Sequence, residues 1–298
     1  MIGKIDYYNS NVTTNIVAIS ISKMKKLVWN NYMVYNPNTI AQRMNFVKQH
    51  INYFFPMNES EKIILDNYAK KINISPHQLY SFGNMLRIQN DLNNSVSYKK
   101  KKESIKSSFS KEISNNHKNH DESIKNFIES TKIPANIVLK IIKNTPIYKE
   151  EDFDESDYIK NLKKSYYDHN KDVLNRSKKF EVCLENYLRN LGVDFKTETD
   201  IIREKLHKFT PDILLNKPII IELNGKEYPI SWIDAKNYTL IRMPFVLESL
   251  RKQSNKYNKA FGNGAFVFHY GLDSSINIPN TLILDGSKIS NADNNYCL

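Results

Sequence analysis

The hydrophobic period changes from helical to alternating at Gly192, and this switch limits what the second half of the chain can fold into. Phe180, Leu184, Tyr187, Leu188 and Leu191 recur at the spacing of one helix face and stop at Gly192. A short strand is expected over residues 193–197, followed by strand candidates at 209–215, 218–223 and 227–236. Asn224-Gly225 joins the last two, and its two positions tolerate the positive φ of a tight hairpin. A second helix is expected over 245–261, closed by Gly262-Asn263-Gly264, and two further strands over 265–270 and 281–284. Helix, strand, hairpin, helix, strand predicts a small mixed sheet flanked by helices, an α/β fold.

The first half reads as all-helical up to about residue 92, with stripes such as Ile40, Met44, Val47 and Ile51. Ser75 is placed to cap a helix that has Pro76 in its first turn and Leu79, Phe82, Met85 and Leu86 along one face. A similar unit recurs around Phe127-Ile128, Ile133-Pro134, Ile137, Val138, Ile141 and Ile142. Each copy fits a helix-turn-helix that touches a nucleic-acid backbone, or an ordinary helical hairpin burying its own stripe. Neither second helix carries the Arg, Asn or Gln cluster of base readout, which favours the hairpin.

Four segments follow: a helical region over 1–92, an Asn/Ser/Lys-rich linker over 93–123, a helical hairpin with an acidic connector over 124–172, and the α/β domain over 173–298. The linker contains Lys99-Lys100-Lys101-Lys102 and reads as a solvated, disordered stretch. His117 and His120 within it have no further ligand nearby, so no metal site is expected there. Residues 150–157 form the acidic connector.

Basic residues outnumber acidic ones 43 to 32, a formal charge of +11 that fits an acidic partner, nucleic acid above all. Only seven of the 43 are Arg, however, so most of the charge sits on mobile Lys ammonium groups. A mean hydropathy of −0.55 and the lack of any apolar run near the roughly 20 residues of a bilayer span exclude a helical membrane protein. The first residues lack the basic-then-apolar order of a secretory signal, and the expected location is the nucleus, the cytoplasm or both. Cys183 and Cys297 suit neither a disulfide framework nor a zinc site.

Chemistry is concentrated in the strand region. Asp212 opens a strand in Phe209-Thr210-Pro211-Asp212-Ile213. In Trp232-Ile233-Asp234-Ala235-Lys236, alternation puts Asp234 and Lys236 on one face and Ile233 and Ala235 on the other. Two carboxylates on neighbouring strands can hold a hard cation such as Mg²⁺ or Mn²⁺, which needs only one or two of them. A metal so held lowers the pKa of water and shields charge on a phosphoryl transition state, with Lys236 beside the phosphate. Glu181, on the edge of the first helix stripe, and Gln253 with Tyr257, four apart on the second helix, can face the same place. Singly, each of these residues is commonplace as strand surface, turn or helix surface; their order and spacing together carry the reading.

That order resembles the PD-(D/E)XK nuclease superfamily, with Pro211-Asp212 and Asp234-Ala235-Lys236 matching the two motif halves and Glu181 the helix carboxylate. More narrowly it is similar to the family named for its Thr-Pro-Asp motif, whose animal member is the codanin-1-interacting nuclease. The match is carried by Phe180-Glu181-Val182, Phe195 with Glu198, Thr210-Pro211-Asp212-Ile213-Leu214, Trp232-Ile233-Asp234-Ala235-Lys236, Gln253 with Tyr257, Phe261-Gly262 and His269-Tyr270-Gly271. The animal relative has Glu where Asp234 stands. The resemblance implies a restriction-endonuclease-like core behind a helical region, and a divalent-metal-dependent nuclease acting on DNA, branched or structured, ahead of RNA. It implies a catalytic set of Glu181, Asp212, Asp234, Lys236, Gln253 and Tyr257, with metal at Asp212, Asp234 and Glu181. A codanin-like protein is the implied partner, and monomer and dimer both stay open. The alternative from another class is a catalytically silent scaffold that keeps the nuclease fold to bind a protein partner or nucleic acid.

Overall fold

The computed structural model describes residues 24–115, 120–131, 133–143 and 157–289. His117, Cys297 and all of the acidic connector but Asp157 lie outside them. Strands β1 (Lys26–Val28) and β2 (Val34–Tyr35) come first, then helices α1 (Pro37–His50), α2 (Glu59–Lys71), α3 (Pro76–Lys100), α4 (Lys102–Asn115), α5 (His120–Thr131), α6 (Ala135–Ile142) and α7 (Asp157–Asn190). There follow β3 (Phe195–Thr197), α8 (Glu198–Arg203), β4 (Ile213–Leu223), β5 (Lys226–Lys236), α9 (Pro244–Phe261), β6 (Gly264–Phe268), β7 (Leu272–Asp273) and β8 (Thr281–Asp285). The molecule is thus a mixed α/β structure with helices in the N-terminal part and a mixed sheet beyond them.

The main sheet runs in the order β1-β4-β5-β6-β8, with β3 also paired to β4. The β4–β5 hairpin is antiparallel and turns at Asn224 (φ 51°) and Gly225 (φ 73°), as the Asn-Gly signal predicts. The expected strands at 209–215 and 218–223 form one strand, β4, because an irregularity between Leu214 and Ile219 lets the chain bend without leaving its partner. Beyond it β3 pairs antiparallel with residues 213–215, while β1 pairs parallel with residues 220–222. Strands β5, β6 and β8 are mutually parallel, with α9 crossing between β5 and β6.

Two cores cover the two faces. Ile233, Ala265, Val267 and Leu284 pack with Phe180, Leu184 and Leu188 of α7. Trp232, Phe266 and Phe268 pack on the other face with Leu250 and Tyr257 of α9, and this core is continuous with Val47, Leu65 and Phe82 of α1, α2 and α3. Residues of the helical region and of the sheet therefore enter one continuous core. Segment 24–35 departs from the all-helical expectation for residues 1–92, since β1 belongs to the sheet and β2 pairs with β7. Three residues are too short to show a period, and their partner lies about 190 residues away.

The Asn/Ser/Lys-rich stretch is also corrected. Its described residues from 93 to 115 are helical but for a turn at Lys101, continuing α3 and forming α4. Ile105 and Phe109, one turn apart, enter a third core with Ile124, Ile128, Val138 and Ile159. A few apolar residues in a polar stretch suffice once other helices cover them, and composition alone conceals this. Both hairpins are present as α2–α3 and α5–α6. Pro76 stands in the first turn of α3 as expected, but the Ser75 side chain makes no capping hydrogen bond. Cys183 is buried and disulfide-bonded, against the sequence reading.

Gly264 lies flat beneath the indole of the buried Trp232, where an added Cβ would enter the ring. Gly264→Ala is expected to destabilise the protein by about 1–3 kcal/mol, the cost of overpacking a rigid core. A urea melt followed by Trp fluorescence checks this.

Candidate active site

The central strand β5 delivers two polar groups to a face otherwise filled by aromatics. Asp234 and Lys236 follow Trp232 at alternate positions, and their neighbour Ile233 enters the opposite core. Asp234 is 3% exposed. Burying a carboxylate this deeply requires partners for both oxygens. Its Oδ1 pairs with the Lys236 ammonium, and its Oδ2 accepts from Gln253 Nε2 at 2.8 Å. Lys236 in turn stands 5.2 Å from the centroid of Phe266.

Asp212 sits where the chain enters β4, next to the end of β5. Its Oδ2 accepts from the Ala235 backbone N–H at 2.7 Å, so the residue between Asp234 and Lys236 fixes the second carboxylate. Among the described residues its Oδ1 makes no hydrogen bond. Helix α9 closes the site: Gln253 Nε2 also donates to Tyr257 Oη at 3.3 Å, and Tyr257 Oη donates to the Thr210 carbonyl at 3.1 Å. Five of the six expected residues thus form one network. Glu181 of α7 stands apart from its hydrogen bonds, paired with Lys178 at 2.9 Å. Its charge nonetheless reaches both aspartates, raising the proton affinity of each.

Glu198 is the group that the site reading lacks, since it figured only among the matched motif residues. Its Oε1 accepts from Thr210 Oγ1 at 3.0 Å, and its backbone N–H donates to the Asp212 carbonyl at 3.1 Å. The capping box at Thr197 and Asp200 fixes the first turn of α8 and so places Glu198. The capping pattern predicts that turn, but only the fold brings it beside Asp212.

Electrostatically the site holds more negative charge than its protein cations balance. Burial, then the neighbouring Asp234, push the Asp212 carboxyl up to about 8, against the lowering effects of the Ala235 N–H and Lys236. Burial also raises Asp234, opposed by Lys236. The Tyr257 hydroxyl is pushed up to about 12, chiefly by burial. His269 stacks on Phe180 at 4.3 Å and donates from Nδ1 to Asn237 Oδ1 at 2.7 Å. Burial holds its imidazole neutral, down to about 3, and its backbone N–H donates to the Lys236 carbonyl at 2.9 Å, fixing the end of β5.

The Thr210-Pro211-Asp212 segment lies at the heart of this network. Residues 151–287 match the model of the family described as "Protein of unknown function TPD sequence-motif". The TPD-matched region contains α7, the main sheet except β1, and α9, and with them every residue of the site. No solved structure matches the chain. Among the described residues, no group of three His, Cys, Asp or Glu side chains is drawn together as a preformed cation cage, and no helix is long and apolar enough to cross a membrane.

The raised Asp212 fixes a pH dependence. Between its ordinary 3.8 and about 8 the folded chain keeps a proton that the unfolded chain sheds, so unfolding gains as pH rises through this window. In metal-free buffer the wild type is expected to lose stability relative to Asp212→Asn by up to about 1.4 kcal/mol per pH unit over that window. Below pH 4 both states hold the proton and the slope is expected to vanish. Denaturant melts of the two proteins at several pH values measure the slope.

Proposed function

We propose that the chain is a divalent-metal-dependent nuclease of the PD-(D/E)XK type, with a restriction-endonuclease-like core. The observation that carries this reading is the buried Asp234 with the half-buried Asp212 beside it at the entry to the adjacent strand, and Lys236 on the same strand face as Asp234. The site's chemistry fits a hard cation. Its donors are carboxylate oxygens, Asp212 offers Oδ1 as an oxygen with no hydrogen bond among the described residues, and one directly paired lysine leaves the pair's charge incompletely balanced. Asp212 and Asp234 would hold Mg²⁺ or Mn²⁺, with Glu181 and Glu198 as further acidic groups. Two carboxylates suffice for Mg²⁺, which keeps most of its waters. When bound, the cation supplies a more acidic water and charge neutralisation at a phosphodiester.

The chain's own groups do the rest. Gln253 fixes the Asp234 carboxylate, and the Ala235 N–H fixes that of Asp212. Lys236 holds an ammonium against the aromatic floor of Phe266, where a phosphate oxygen would replace Asp234 Oδ1 as its partner. Tyr257 ties α9 to the Thr210 carbonyl and keeps Gln253 in place. The +11 charge favours a nucleic-acid substrate, and DNA, branched or structured, is proposed ahead of RNA, in the nucleus or cytoplasm.

One observation favours a second reading. The direct Lys236–Asp234 pair fills a carboxylate oxygen that a cation would need. A silent scaffold that binds nucleic acid or a codanin-like protein is consistent with such a self-satisfied site. Cleavage of single-stranded, duplex, flapped and four-way-junction substrates with Mg²⁺ or Mn²⁺ separates the two. The nuclease reading expects metal-dependent cutting, reduced by about 10²-fold or more in Lys236→Ala with the melting curve preserved. It also expects Mn²⁺ to raise the melting temperature of the wild type and to leave Asp212→Asn unmoved. Wild-type turnover in Lys236→Ala, or no cutting and no Mn²⁺ response in the wild type, would overturn it.

A further inference from the structure

The rim beside the acidic site has the opposite character to the site itself. Residues 202–209 run from the end of α8 into Thr210, so this segment leads straight to Asp212. Lys208 Nζ stands 4.9 Å from the Phe209 ring centroid, and Lys256 Nζ, from the exposed side of α9, stands 5.4 Å from the same ring. Two ammonium groups are therefore held around one aromatic ring, and among the described residues neither forms an ion pair. Their mutual repulsion is tolerated because both are exposed and the ring attracts each.

The segment is also held in place. The Phe209 N–H donates to His207 Nδ1 at 3.0 Å, the His207 ring packs 4.7 Å from Phe261 of α9, and Leu206 N–H donates to the Ile201 carbonyl at 3.0 Å. Yet two large apolar side chains face water on it: Ile202 is 60% exposed and Leu206 49%. Exposed aliphatic groups beside paired lysines fit a ligand that is both polyanionic and apolar. Duplex nucleic acid presents phosphates but hides its base faces, whereas an unpaired strand presents both.

We propose that this rim binds an unpaired nucleic-acid strand next to the cleaved position, with Lys208 and Lys256 on flanking phosphates and Ile202 and Leu206 against a splayed base. The inference rests on the nuclease reading and names its substrate class as single-stranded or locally opened nucleic acid. Phe209 is the support that holds the two lysines; the lysines and the aliphatic pair make the contacts.

The test is anisotropy of labelled single-stranded and duplex DNA of one sequence, titrated with the full chain in EDTA at several salt concentrations. Lys208→Ala/Lys256→Ala is expected to make the slope of log affinity against log salt shallower by about 1.4 for the single strand. Lys208→Arg/Lys256→Arg is expected to keep the wild-type slope. Ile202→Ser/Leu206→Ser is expected to lose roughly five-fold or more of single-strand affinity and leave duplex affinity unchanged. Wild-type slope in the double alanine variant, or equal loss on both substrates in the serine variant, would overturn the rim. No DNA binding by the wild type would overturn it too, and would favour a protein as the occupant of this surface. Cleavage with Mn²⁺ is measured in parallel. Rim-dependent binding without any cutting sinks the nuclease and leaves the rim standing; cutting that ignores the rim variants does the reverse.

Discussion

Burial of Asp234 in the middle of the sheet is the constraint around which this structure is organised. A carboxylate at that depth is stable only with its oxygens satisfied, and the solution draws in three elements at once. Lys236 comes from the same strand, Gln253 from the helix that crosses the sheet, and Asp212 lies close enough to raise the charge further. The aromatic packing of Trp232, Phe266 and Phe268 keeps water away, which strengthens each of these interactions and makes the local excess of negative charge costly. In the proposed nuclease, a bound cation would relieve that excess.

How much of this was legible depended on whether the signal was local. The alternation through Trp232-Ile233-Asp234-Ala235-Lys236 fixed which side chains share a face, and Asn224-Gly225 fixed the hairpin, because both are decided within a few residues. The helical spacing of Gln253 and Tyr257 placed them together for the same reason. What stayed hidden needed the tertiary fold. Strand β1 has three residues and finds its partner across most of the chain. Helix α4 is polar apart from Ile105, Phe109 and Ile113, and Ile105 and Phe109 are buried against α5 and α6. Glu198 has an ordinary position in a first turn and acquires meaning only when Thr210 and Asp212 arrive beside it. The proposed nuclease reading rests on motif order, and the structure contributes the proximity of the groups.

The two faces of the sheet divide labour. Helix α7 covers one face with an apolar stripe and brings Glu181 and Lys178 within electrostatic reach of the acidic groups. The other face mixes aromatics with the charged groups, and its core runs on into α1, α2 and α3. Gln78 exemplifies this continuity: it accepts from Arg43 at 2.7 Å and donates to the Tyr270 carbonyl at 2.6 Å, joining α3 to the turn after β6. The helical part thereby braces the end of the sheet that carries Lys236.

The pairing of β1 with β4 bears on how the chain assembles. Residues 26–28 emerge from the ribosome long before residues 220–222, so the sheet cannot acquire its first strand until most of the chain exists. The Asp285 carboxylate, accepting from the N–H groups of Tyr32 and Met33 at 2.9 Å each, ties the same segment to the last strand. Such long-range closure slows folding, and until it happens the apolar edge at Ile220 and Ile221 stays open to strands of other chains. The helices synthesised in between, with a core of their own in α4 to α6, can form early and hold the unfinished sheet segments in one chain's company rather than another's.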